Sequence, residues 1–114
     1  MEGWLYCMSN SCMPGLVKVG QTKHDPSERA LQLYTTGVPE PFHVEFAKKV
    51  KDYLRKEKQI HALLEKYFER MNGREFFRCK SSDVYELFEL MDGEYHAEQN
   101  RPDPYNLRQY ARDQ

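Results

Sequence analysis

The chain has 114 residues, 39% of them hydrophobic and 31% charged, which suits one domain with a single core that needs neither disulfides nor metals to fold. Its net charge of −1 excludes binding to polyanions by overall charge, so any nucleic-acid contact must come from a local basic patch. The odd cysteine set (Cys7, Cys12, Cys79) and the lack of an export signal predict reduced thiols in the cytoplasm, and no apolar run approaches membrane-spanning length.

In chain order, "GWLYCMS" reads as a strand, "NSCMPG" breaks it, and "LVKVG" resumes it, which predicts an antiparallel hairpin. Strand parity puts Tyr6 and Lys18 on one face, and a hairpin centred on Cys12 would set them directly opposite. "KHDPSERALQLYTTG" starts a helix with Asp25 as N-cap, Pro26 at the first position and Glu28 completing a capping box. Ser27, Ala30, Leu31 and Tyr34 form its stripe, Arg29 lies beside it, and Gly37 is the expected stop. "FHVEFAKKV" alternates, with Phe42, Val44 and Phe46 assigned to one face and His43 to the other. "KDYLRKEKQIHALLEKYFERM" is a longer helix with Tyr53, Glu57, Ile60, Leu64 and Tyr67 at helical spacing, ended by "NG". "REFFRC" is a short interior strand, and "SSDVYELFELMDG" a serine-capped helix with Val84, Leu87, Phe88 and Met91 as its stripe. From Glu94 the composition turns polar and Pro-interrupted, with tyrosines at 95, 105 and 110. It reads as a tail (94–114) with a short helix after Pro104, behind a domain at 1–93. The expected fold is a small α/β sandwich, β-β-α-β-α-β-α, round a mixed sheet of three to four strands.

Tyr6, Lys18, Arg29 and Glu75 interrupt apolar elements. Singly, each reads most simply as a rim or surface residue. Together they suit phosphodiester hydrolysis. One carboxylate can hold a divalent cation that keeps its waters. An arginine fork matches the extra charge of the pentavalent state better than a lysine does. A tyrosine accepts a proton only as phenolate, which a nearby cation favours.

"WLYCM", "LVKVGQT", "ERALQLYTTG" and "REFF", in that order, resemble the GIY-YIG endonuclease superfamily, most closely its small single-domain phage and bacterial branch. The resemblance spans about residues 4 to 90. It implies that Tyr6 lines the site near the attacking water, that Gly20 allows close backbone approach, that Arg29 stabilises the phosphoryl transition state, and that Glu75 binds a single Mg2+ or Mn2+. The implied activity is cleavage of nucleic acid, DNA more than RNA, by a soluble hydrolase.

Two positions depart from the superfamily pattern. Lys18 stands where a tyrosine is usual, marking either a branch with a different proton acceptor or a site that has lost its base. No asparagine follows Glu75 closely; Asn72 precedes it, and Asn100 lies in the tail. His61, four residues after Glu57 on one helix face, either supplies the base or is a half-buried histidine held by Glu57. The run "KKVKDYLRKEK" is a solvated face or, in a nuclease, a phosphate track through Lys48, Lys49, Lys51 and Arg55. Besides an endonuclease, the sequence admits a catalytically weak nucleic-acid-binding module on the same scaffold. It also admits a protein-interaction domain whose tail docks a second copy or a targeting partner.

Overall fold

The computed structural model describes residues 1–96. The elements are β1 (Glu2–Ser9), β2 (Val17–Thr22), α1 (Pro26–Leu33), β3 (His43–Lys51), α2 (Tyr53–Tyr67), β4 (Glu69–Arg70), β5 (Phe76–Arg78), α3 (Ser81–Phe88) and β6 (Glu94–Tyr95). They form one six-stranded sheet in the order β4-β5-β2-β1-β3-β6. The α/β class and the expected run of main elements hold. The sheet is wider than expected, and its pairings are antiparallel throughout rather than mixed. The two extra strands have two residues each, too short to show an alternation. Asn72 and Gly73, with φ of 51° and 68°, turn β4 into β5 rather than ending a helix. Glu94 and Tyr95, read from sequence as the start of the tail, pair with β3. The expected short helix after Pro104, Asn100, Tyr105, Tyr110 and any docking by the tail fall outside the described residues.

The β1–β2 register is centred on Met13, so Tyr6 opposes Gly20 and Lys18 opposes Met8. Tyr6 and Lys18 share a face, as parity requires, but sit diagonally rather than opposite. In β3 the pairing skips Glu45: Met8 faces Val44 while Cys7 faces Phe46. This bulge corrects the simple alternation, because one extra residue sends Phe46 to the opposite layer from Phe42 and Val44.

The sheet therefore has two unlike faces. Under α2 and α3 lie Leu5, Cys7, Val19, Phe46, Val50, Ile60, Leu64, Phe77, Val84 and Phe88, all buried. Phe46 meets Phe88 edge-to-face with ring centroids 5.0 Å apart. Under α1 lies a smaller cluster of Tyr6, Met8, Ala30, Val44 and Ala47, flanked by Trp4, Leu33 and Phe42.

Asp25 caps α1, its Oδ1 accepting from the Ser27 backbone N–H at 2.7 Å. The helix ends at Leu33, before Gly37, and turns Pro26, Ala30 and Leu33 inward. Leu31 is left 71% exposed, and Tyr34 is also exposed. On α2, Tyr53, Ile60, His61 and Leu64 are buried and Tyr67 is exposed. Lys80 rather than a serine occupies the N-cap of α3, its backbone N–H donating to Asp83 Oδ2 at 3.0 Å. No helix among the described residues is long and apolar enough to cross a membrane.

Candidate functional site

The site forms round Gly20. A Cβ built there would lie 2.5 Å from the Tyr6 hydroxyl oxygen and 2.7 Å from Glu75 Oε2. Both functional oxygens thus approach the backbone at a spot only glycine leaves open. Tyr6 comes from β1 across the hairpin, and its ring is buried beneath α1. Glu75 comes from the residue before β5, whose carbonyl accepts the Val19 N–H at 2.9 Å. Lys18 is buried, and its Nζ donates to Glu75 Oε2 at 2.6 Å. The same ammonium lies over the Phe76 ring, 5.3 Å from its centroid.

Arg29 reaches the cluster from α1. Burial, and then the Glu75 carboxylate, push the Tyr6 hydroxyl up to about 12; a hydrogen bond from Arg29 and its charge pull the other way without prevailing. This corrects the idea that Lys18 makes Tyr6 a phenolate. The lysine charge is held by Glu75, and Tyr6 is a neutral phenol near neutral pH. The arginine is half-buried and also donates to Gln32 Oε1 at 3.3 Å.

His61 is held by the sheet rather than by Glu57. Its Nε2 lies 2.6 Å from the Val19 carbonyl oxygen. A carbonyl only accepts, so this nitrogen carries the proton and cannot take another. Burial lowers the His61 pKa, keeping the ring neutral. Only Nδ1 is left to act as a base.

Two contributors go beyond the sequence expectations. The first is Glu57, read from sequence only as the helix partner of His61; its Oε2 is buried with no hydrogen-bond partner among the described residues. Desolvation and then the Glu75 charge push its carboxyl up to about 7, while Lys18 pulls it down. The signal was present: a carboxylate at a core-facing position, four residues after Tyr53 and three before Ile60. The second is Arg70, whose Nε donates to the Arg74 carbonyl at 2.6 Å and so steadies the turn into Glu75. It sits in a two-residue strand and offered no pattern to read.

The basic run is divided. Lys48 is removed from any phosphate track: it is 3% exposed, and its Nζ donates to the carbonyls of Phe88 at 2.7 Å and Met91 at 2.5 Å. It caps the end of α3 from beneath, because residue 48 falls on the α3 side of the bulged strand. Lys49 lies 3.8 Å from Glu2, and Lys51 and Arg55 are exposed. Among the other histidines, His24 and His43 are exposed. His96 packs on Trp4 at 5.3 Å between ring centroids and lies 3.3 Å from Asp25.

The donors fit a hydrated cation better than a caged one. No group of three or more His, Cys, Asp or Glu among the described residues is arranged to hold a metal. One carboxylate oxygen, beside a phenol and the open Cα of Gly20, already carries an ammonium. A magnesium ion that keeps most of its waters needs little more.

No curated protein and no solved structure matches the chain. A family profile does, described as the T5orf172 domain, and it runs over residues 3–92, from the start of β1 to just short of β6. That span takes in Tyr6, Gly20, Arg29, Glu57 and Glu75 alike, and the chain belongs to the T5orf172 domain family.

Proposed function

We propose that the chain is a divalent-metal-dependent endonuclease of GIY-YIG type that hydrolyses phosphodiester bonds, in DNA more than RNA. The observation carrying this reading is the convergence of Tyr6 and Glu75 on Gly20, with Lys18 on Glu75 and Arg29 on Tyr6. T5orf172 domains are phage-associated and often linked to GIY-YIG-like or HNH-type nucleases, which agrees with it.

Glu75 would hold the cation, with the Tyr6 hydroxyl beside it. A bound Mg2+ or Mn2+ supplies Lewis-acid neutralisation of phosphate oxygens and a more acidic water. Arg29 offers a planar donor fork for the charge that builds on the phosphoryl oxygens. Tyr6, a neutral phenol near neutral pH, orients the attacking water by hydrogen bonding. Gly20 keeps the backbone clear of both oxygens. Lys51 and Arg55 lend exposed charge for backbone phosphates.

The test is incubation with single- and double-stranded DNA and RNA in magnesium or manganese. Cleavage that Glu75→Ala abolishes is expected; no cleavage on any substrate, or cleavage that survives this change, overturns the reading. One observation favours a second reading, a nucleic-acid-binding module with little turnover. Lys18 already occupies one oxygen of the carboxylate that would hold a metal, and Tyr6 is far from a phenolate. Salt-dependent binding without turnover would select it.

A further inference from the structure

A divalent cation bound at Glu75 Oε2 would compete with Lys18 for that oxygen. Lys18 Nζ sits 2.6 Å from Glu75 Oε2, with the lysine side chain 10% exposed. Two cations cannot share that oxygen at contact distance without strong repulsion. A metal taking Oε2, the oxygen that faces Gly20 beside the Tyr6 hydroxyl, would therefore displace the ammonium. Away from Glu75 the buried ammonium has the Phe76 ring face but no further hydrogen-bond acceptor among the described residues, and a buried charge without one is costly. Withdrawal needs a second acceptor close by. Glu57 Oε2 is the one buried side-chain oxygen or nitrogen without a partner among the described residues, and the Lys18 charge acts on it directly.

Building on the nuclease reading, we infer that Glu57 is a positioning residue that receives the Lys18 ammonium when a divalent cation occupies Glu75. The lysine passes from one carboxylate to the other, and Glu57 does not touch the metal. This explains why α2 carries a carboxylate into its core stripe, where its buried Oε2 has no hydrogen-bond partner among the described residues while Lys18 is on Glu75. It also gives Lys18 a task that a tyrosine in its place could not perform. With no metal it neutralises Glu75; with metal bound it neutralises Glu57.

The test is calorimetric titration of Mg2+ into the full chain at pH 8, where Glu57 is largely ionised, with thermal melting as the check on folding. Wild type, Glu75→Gln, Glu57→Gln, Lys18→Met and the Lys18→Met/Glu57→Gln double variant are compared. Glu57→Gln should weaken binding about 5- to 10-fold in the wild-type background and less than about 2-fold once Lys18 is methionine. Lys18→Met alone should tighten binding, and Lys18→Arg should restore the dependence on Glu57. Equal weakening in both backgrounds would make Glu57 a direct ligand and overturn the inference; so would no weakening in either. If Glu57→Gln melts too low to titrate, Glu57→Asp keeps the charge at a shorter reach and should show a smaller loss with the same dependence on Lys18. Wild type that binds no Mg2+, or binding untouched by Glu75→Gln, removes the metal site of the nuclease reading and the inference with it. Binding that needs Glu75 but ignores Glu57 removes the inference alone.

Discussion

The two faces of the sheet are built from the same strands and obey different rules. Beneath α2 and α3, aromatic and aliphatic side chains form the larger buried cluster, and the cation buried there, Lys48, satisfies two carbonyls at the end of α3. Beneath α1, the cluster is smaller and gives way to a tyrosine, a lysine, an arginine and a glutamate gathered on a bare glycine. The first face holds the protein together; the second tolerates buried charge because the first supplies the stability. Substitutions that behave alike on both faces would break this contrast.

The largest effect should come from the dry face. Phe46→Ala should cost about 3–5 kcal/mol in chemical denaturation, because the site is fully buried and cannot collapse. On the other face, Gly20→Ala should cut nuclease turnover about 100-fold, since its Cβ forces apart two oxygens that must stay together. Its melting temperature should fall less than that of Phe46→Ala. Lys48→Met should destabilise by about 1–3 kcal/mol by stranding the carbonyls of Phe88 and Met91, without changing the salt dependence of nucleic-acid binding. A change in that dependence would put Lys48 back on the phosphate track.

A smaller effect sharpens the contrast through pH. Glu57 holds its proton up to about 7 in the folded chain against 4.5 as the ordinary value. The folded state therefore binds the proton more tightly. The associated stability is complete below pH 4.5 and lost as pH rises through 7. His61, lowered by burial, acts in the opposite sense, costing stability as pH falls below its ordinary 6.5. Comparing denaturation of wild type and Glu57→Gln at pH 5 and pH 8 isolates the first of these. The variant should gain about 1 kcal/mol relative to wild type at the higher pH, after discounting for solvent screening of a half-exposed group. The smallest effect belongs to Lys51→Ala with Arg55→Ala, which should leave stability within about 0.5 kcal/mol and flatten the salt slope of binding by about 1–2.

Most of the frame could be read from the chain, because long elements announce themselves by period. The hairpin, Asp25 as cap, the long helix and the shared face of Tyr6 and Lys18 all follow from spacing. What escaped was set by pairing between distant segments. The exact register came from the seven-residue connection between Ser9 and Val17, not from the strands. The Glu45 bulge, which decides that Phe46 and Lys48 go inward under α3, leaves no mark on a pattern that reads as plain alternation. The roles of Tyr6, Gly20, Arg29 and Glu75 came from family resemblance, whereas the unpaired oxygen of Glu57, legible only as a helix partner of His61, and the place of Arg70 became visible only when charge and burial could be placed in space.

The shortness of β4 and β6 has a further consequence. A flat sheet invites identical molecules to add on at its margins and grow into fibres. Among the described residues, the outermost strands are two-residue rungs that both bear charge: Glu69 and Arg70 in β4, Glu94 in β6. Glu69 is further tied to Arg78 at 3.0 Å. A newcomer pairing with either rung would gain few ladder bonds and would have to desolvate carboxylates to make them, so these two strands are poor templates for stacking of one molecule on the next.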